Sequence, residues 1–261
     1  MIVRQLFDPE TSSYSYLLGD ELTREAVLID AVSGQLERDL SLVRELELRL
    51  VFALETHVHA DHVTAAGRLR DELRARVAVS KRSGVRNADR LLEDGDWIAF
   101  GAHRLEARAT PGHTGGCMTF VGDGMAFTGD ALLIRGCGRT DFQDGDAQVL
   151  YRSVRTRILS LPASTRLFPA HDYKGRTVTT VDEELRFNPR LGAGKTEASF
   201  VELMRGLTLA YPKRMDEAVP ANIYSGLGPD AAASPHGPGS VAGVMEELGR
   251  QDAENMLGAG I

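Results

Sequence analysis

Cysteine is almost absent from this chain. Only Cys117 and Cys137 occur in 261 residues, and they form no CxxC pair. That argues against a disulfide framework. Small buried thiols are the simplest reading for both, although each follows a glycine in a motif taken up below. Long apolar runs are missing as well. No stretch of about 18 apolar residues exists, so no membrane-crossing helix is expected. The first residues, MIVRQLFDPETSS, lack the apolar run of a signal peptide and are poor in arginine for a transit peptide. The expected location is therefore the cytoplasm. Basic excess is missing too. Thirty Lys and Arg face 37 Asp and Glu, a net charge of −7, which argues against non-specific nucleic-acid binding. Two catalytic signatures are also absent. There is no GxSxG elbow and no GxxxxGK[ST] phosphate loop.

What is present is ordinary globular composition, 43% hydrophobic and 26% charged. The length suits one large domain or two modest ones. YSYLLGD and EAVLID read as strands. Residues 34–48 read as a helix with Leu36, Leu40, Val43 and Leu46 on one stripe. LRLVFAL is a buried strand ending at Glu55, residues 62–75 look helical, and RVAVS is a strand again. HRLEARAT, CMTFVGD and GMAFTGD read as strands, residues 147–161 as a helix, and TRLFPAHDY as a last strand entering a loop. Strands alternating with helices, interrupted by runs of strands alone, predict an α/β fold of two mixed sheets covered by outer helices. Residues 197–207 read as a helix and 211–228 as a loop. Beyond 228 the texture turns to Ala, Gly and Pro, with one helical candidate at SVAGVMEELGRQ.

Potential ligands gather at strand ends, where a rigid scaffold meets open space. ETHVHADHVT offers His57, His59, Asp61 and His62. TPGHTGGC offers His113, FTGDALL offers Asp130, and FPAHDY offers His171. Five of the seven histidines fall in these four places. A lone strand-end histidine more often packs or hydrogen-bonds than binds metal, and His103 and His236 take that reading. HxHxDH followed by three more strand-end candidates points to a metal site. Imidazole and carboxylate suit Zn, Fe and Mn. Whether the cluster holds one metal or two stays open at this point.

HxHxDH, His113, Asp130 and His171, in that order, resemble the metallo-β-lactamase superfamily. The resemblance implies a four-layer αβ/βα sandwich over residues 1–228, with 229–261 as a tail or peripheral helix. In two-metal members the residues matching His57, His59 and His113 hold one metal, those matching Asp61, His62 and His171 the other, and the Asp130 match bridges. All seven positions are filled here, so the ligand inventory alone favours a two-metal hydrolase. The longer stretches ETHVHADHVTAAGRLR, TPGHTGGCMTFV, FTGDALLIRGCGRTDFQDGD, FPAHDYKGRTVTTVDEELRFNPRL and YPKRMDEAVPAN are similar to the persulfide dioxygenases, over roughly residues 10–228. That likeness implies one Fe(II) per chain on His57, His113 and Asp130, a two-His, one-carboxylate face with open positions. His59, Asp61, His62 and His171 then support the ligands, and Tyr173 reaches the same network through its hydroxyl. Glutathione persulfide and O₂ are the implied substrates, and a homodimer the implied assembly. Two glutathione carboxylates call for cations. Arg139 comes first, then Lys174, Arg176 and Arg214, though Arg139 could instead brace its loop through Asp141. The alternative is glyoxalase II-type thioester hydrolysis with two metals. A metal-binding module without turnover is a third reading.

Overall fold

The alternating strands pair into two six-stranded sheets. The structure, a computed structural model, describes residues 1–228. The expected tail and its helix at SVAGVMEELGRQ lie outside the described residues. The first sheet runs in chain order: β1 (Ile2–Asp8), β2 (Ser13–Gly19), β3 (Glu25–Ile29), β4 (Arg49–Leu54), β5 (Arg76–Ser80) and β6 (Arg90–Leu92). Its first three strands are antiparallel and the rest join in parallel. The parallel joins need crossovers, and α1 (Leu36–Glu45) and α2 (Ala66–Leu73) supply two of them. The second sheet holds β7 (Asp96–Phe100), β8 (His103–Ala109), β9 (Met118–Gly122), β10 (Met125–Gly129), β11 (Arg166–Pro169) and β12 (Thr179–Thr180), again neighbour to neighbour. Only β10 and β11 are parallel in it. Between them run α3 (Ala147–Ser153) and a π-helical turn, Val154–Ile158. After β12 come α4 (Val181–Phe187), α5 (Glu197–Arg205) and α6 (Met215–Asn222).

Side-chain alternation assigns each strand face to a layer. On β2, Tyr14, Tyr16 and Leu18 enter the core between the sheets, while Leu17 turns to the helices. On β10, Met125 and Phe127 point inward and Ala126 outward. Val51 is an extra residue in β4: Ala26 pairs with Leu50, but Val27 pairs with Phe52. This bulge lets Leu50 and Ala53 both face the helices although three positions separate them. The core between the sheets is rich in fully buried rings, Tyr16, Phe100, Phe120 and Phe127, each worth about 1.5–3 kcal/mol of burial. Tyr16 keeps its hydroxyl satisfied on the Pro169 carbonyl at 2.6 Å. α1 and α2 cover the first sheet, and α3, the π-turn and α5 cover the second. The result is two mixed sheets covered by outer helices, as the strand and helix pattern predicts, in the αβ/βα sandwich that the family resemblance implies.

Strands β4, β10 and β11 all end at one edge of the sandwich. There the Met118 amide donates to the Thr56 carbonyl at 2.8 Å, and the Tyr14 amide to the Ala170 carbonyl at 2.7 Å. Both bonds cross between the sheets, so the loops at this edge are tied together before any side chain is considered.

Some elements differ from the sequence reading. The helix expected over 62–75 begins only at Ala66, because 62–65 belong to the edge loop. The helix expected over 147–161 becomes π-helical at Val154, where the Leu159 amide reaches back five residues to the Val154 carbonyl. Residues 211–228 are not all loop, since Met215–Asn222 is helical with Pro220 inside it. The buried residues of α6 are only Ala218 and Asn222, which make no apolar stripe for periodicity to detect. Strands β1, β6, β7 and β12 and helix α4 are additions to the sequence reading. β1 is a half-buried edge strand, and β6 is three residues long.

A candidate metal centre at the sheet edge

Asp30 follows the last residue of β3 and is 2% exposed. Its backbone has φ 54, the left-handed region that Asp tolerates better than most residues. Both its oxygens receive Thr56, which follows β4 after Glu55. The Thr56 amide donates to Oδ1 at 2.7 Å and the Thr56 hydroxyl to Oδ2 at 2.8 Å. With its proton committed to Asp30, the hydroxyl can only accept from His57 Nδ1, 2.9 Å away. That fixes the tautomer: His57 keeps its lone pair on Nε2. Burial, followed by repulsion from His59 and His113, pushes the His57 imidazolium form well down, so the ring is neutral.

His113 is fixed in the same way. Its Nδ1 donates to the Arg139 carbonyl at 2.7 Å, which leaves the Nε2 lone pair free. Nε2 lies 3.7 Å from Asp130 Oδ2. The other Asp130 oxygen accepts from His171 Nδ1 at 2.7 Å. Burial alone would push the Asp130 carboxyl up, but the adjacent His171 outweighs it and holds the group well below the usual carboxylate range. One ligand-type atom from each of His57, His113 and Asp130 falls within 4.8 Å of the other two. Two neutral imidazoles and one carboxylate, each anchored by its second polar atom, fit a divalent metal. Cys117 offers no competing thiolate, because burial pushes its thiol up to about 12.

His171 sits between two carboxylates, with Nδ1 on Asp130 and Nε2 3.0 Å from Asp61 Oδ2. Burial lowers its proton affinity, but Asp130 and Asp61 raise it well above the ordinary value. Its two nitrogens therefore both act as donors, and neither presents a lone pair. Asp61 Oδ2 also accepts from the Ser13 hydroxyl and from His62 Nδ1, each at 2.9 Å. The trio Asp61, His62 and His171 that two-metal members would use meets at Asp61 Oδ2 through hydrogen bonds from both imidazoles, not as three free ligand atoms. Instead Asp61 and His62 group with His59, within 4.8 Å. His59 Nε2 lies 3.2 Å from Asp30 Oδ1 and 3.4 Å from Glu55 Oε2. Burial opposes protonation of His59, yet Asp30 and Glu55 raise its proton affinity well above normal. The approach is ionic, since neither ring nitrogen makes a well-aligned hydrogen bond.

The expected substrate-facing residues are placed differently from one another. Arg139 is bidentate on Asp141, at 2.6 and 2.7 Å, and donates to the Ala210 carbonyl at 2.7 Å. Its guanidinium thus ties its own loop, through Asp141, to the segment at Ala210, the bracing role foreseen as its alternative. Arg139 also lines a surface cavity of about 480 Å³, whose lining includes none of His57, His113 and Asp130. Arg176 donates from Nε and Nη2 to the one Oδ1 of buried Asp172, and Nη2 also donates to the Ile134 carbonyl. Arg214 pairs with Glu217 and Glu10. Lys174 is exposed and has no ion-pair partner among the described residues. Tyr173 does not join the network through its hydroxyl. It is 74% exposed, and its ring stacks on His171 with centroids 6.0 Å apart. His103 pairs with Asp123 away from the cluster, and His236 lies outside the described residues. The sequence reading missed Asp30, Thr56, Glu55 and Ser13. Asp30 carried a usable signal, a carboxylate directly after a strand, the same position as Asp130.

A family model described as the metallo-β-lactamase superfamily matches residues 8–171. Over 229 residues the chain is 53% identical to persulfide dioxygenase ETHE1, mitochondrial, of Bos taurus, covering 87% of this chain and 89% of that one. The Homo sapiens protein of the same name is 52% identical over the same shares. The crystal structure of ETHE1 from Myxococcus xanthus matches with a TM-score of 0.85 and 50% identity, over 87% of this chain and 100% of that chain. Glyoxylase B2 of Dictyostelium discoideum is 24% identical over 258 residues, 83% of this chain and 88% of that one.

Proposed function

The chain belongs to the metallo-β-lactamase superfamily, and within it to the persulfide dioxygenase family, and from that premise we propose that it oxidises glutathione persulfide with O₂ to sulfite and glutathione at one non-haem Fe(II). The observation that supports this most is the contrast between two sets of side chains. His57, His113 and Asp130 offer one free ligand atom each at close range, while His171 is committed to two carboxylates.

In the balanced reaction, persulfide, O₂ and one water give glutathione, sulfite and two protons. The outer sulfur loses four electrons and O₂ accepts them. Iron on His57, His113 and Asp130 would supply positions for sulfur and for O₂ and a path for electrons between them. The chain's own groups orient and tune. Asp30 and Thr56 hold His57 in the tautomer that leaves Nε2 free. The Arg139 carbonyl does the same for His113. His171 keeps Asp130 ionised and fixes one of its oxygens. Tyr173, stacked on His171 and exposed, offers a ring face at the mouth of the site. Lys174 is the cation most open to a glutathione carboxylate. Arg214 is close enough to Asp61 to feel its charge, but it already pairs with Glu217 and Glu10. Arg139 and Arg176 contribute by bracing their loops.

A cytoplasmic location and a homodimer complete the proposal. Among the described residues no helix is long and apolar enough to cross a membrane. Cell fractionation and size-exclusion chromatography test those two points. The hydrolase alternative shares the glutathione moiety, so a cation pocket does not separate the two. Reaction does: with glutathione persulfide the protein should consume O₂ and release sulfite, and S-lactoylglutathione should persist. Rapid thioester cleavage under nitrogen, without O₂ uptake on persulfide, would overturn the proposal.

A further inference from the structure

Helix α6, which no apolar pattern announces, ends on Asn222, and this side chain is 3% exposed. It reaches into the turn that follows His57. Nδ2 donates to the carbonyls of His59 and His62, at 2.9 Å each, and Oδ1 accepts from the Thr64 amide at 2.9 Å. Only one orientation of the amide satisfies all three bonds, because the flipped amide would set an oxygen against two carbonyls. These backbone groups belong to no strand or helix, so Asn222 replaces the ladder that regular structure would give them.

The anchor is itself held. The Arg86 amide donates to the Ile223 carbonyl at 2.9 Å, Asn87 Nδ2 to the Tyr224 carbonyl at 2.9 Å, and the Gly67 amide to the Ser225 carbonyl at 2.9 Å. Ser225 Oγ donates to Asn87 Oδ1 at 2.7 Å, a bond that touches neither the Asn222 side chain nor residues 59–64 and lies apart from the backbone bonds that hold the anchor. Gly226, at φ 81, lets the chain run so close to Thr64 that a Cβ there would lie 2.0 Å from the Thr64 carbonyl oxygen.

We propose that Asn222 is a positioning residue for the metal centre. It fixes the backbone of residues 59–64, that backbone aims Asp61, Asp61 accepts from His171, and His171 fixes Asp130. Residue 222 thereby sets the geometry of a ligand it does not touch. The inference rests on His57, His113 and Asp130 being the ligands.

The test uses the full chain purified with its metal. Loss of that metal to excess chelator is timed, and melting temperature is recorded for wild type, Asn222→Ala, Asn222→Asp and Ser225→Ala. Asn222→Asp keeps the size and one acceptor, but sets oxygen against two carbonyls. Ser225→Ala cuts the bond from this segment to Asn87 and leaves the turn alone. Both Asn222 variants should release metal at least about ten-fold faster than wild type, the lower end of what lost support of a ligand costs. Ser225→Ala should release at the wild-type rate even where its melting temperature falls. Release from the Asn222 variants within two-fold of wild type would overturn the proposal. So would release from all three variants that simply follows melting temperature. If Asn222→Ala does not fold, Asn222→Asp carries the comparison. The timing counts whichever metal is present, so a zinc-loaded chain would sink the iron reading and leave this one to its own result. A chain that holds no metal would overturn both.

Discussion

Replacing Thr56 by Val removes one hydroxyl and almost no volume. In the folded chain that hydroxyl makes two buried bonds, to Asp30 Oδ2 at 2.8 Å and from His57 Nδ1 at 2.9 Å. Thr56 is 1% exposed, Asp30 2% and His57 4%, so water cannot replace what is lost. Asp30 keeps the Thr56 amide on its other oxygen, but its Oδ2 and the His57 Nδ1–H are orphaned. A buried group left unpaired costs about 1–3 kcal/mol, more when charged. Two such groups place the stability loss at about 2–5 kcal/mol. The same change frees the His57 ring to rotate or to exchange tautomers, and lost support of this kind weakens metal binding by about 10–100-fold. Thr56→Ser is the paired control, since it keeps the hydroxyl and loses only a methyl. Thermal melts and anaerobic Co(II) titration of the stripped chain would read both effects. The expected order is wild type, then Ser close behind, then Val far weaker. Val binding Co(II) within three-fold of wild type would refute the role given to this hydroxyl.

Asp39, in α1, is 1% exposed and its Oδ2 has no hydrogen-bond partner. Burial pushes its carboxyl up to about 6 against the pull of Arg38. The folded state therefore prefers the protonated form, and that contribution is complete below about pH 4 and lost as pH rises through about 6. A carboxyl raised from the usual range to about 6 corresponds to about 3 kcal/mol. The change Asp39→Asn should raise the melting temperature by several degrees at pH 7.5 and hardly at pH 4.5; equal gains at both pH values would contradict the sign. The thiols give a further check. Cys117 and Cys137 are both buried, and burial pushes each thiol up, Cys117 to about 12. A thiol reagent at pH 8 should leave the folded chain unlabelled and modify two sites after denaturation, and prompt labelling of Cys117 in the folded chain would refute its burial.

Much of this was legible because the relevant signals are local. Short apolar segments bounded by turns named most strands, and side chains placed directly after strands named the candidate ligands. Asp61, His62 and His171 read as a second metal set by count alone. What speaks against that grouping is the His171 ring, whose two nitrogens meet Asp130, 41 residues away, and Asp61, 110 residues away. Asp30 and Thr56 meet across 26 residues and Asn222 meets the metal loop across about 160. No pattern along the chain encodes such meetings. The partners of the arginines were hidden for a related reason. Composition shows a cation but not its partner, and Arg139, Arg176 and Arg214 all have carboxylates within reach. α6 was hidden because its buried face is one alanine and one asparagine.

The central claim is a count and an identity: one iron per chain, on His57, His113 and Asp130. The most direct measurement is elemental analysis of protein purified without oxygen, for wild type and for His113→Ala and His62→Ala. The account predicts about one iron per wild-type chain, near zero for His113→Ala, and retention of most iron by His62→Ala. Two metals per wild-type chain, with His62→Ala losing one of them, would contradict it.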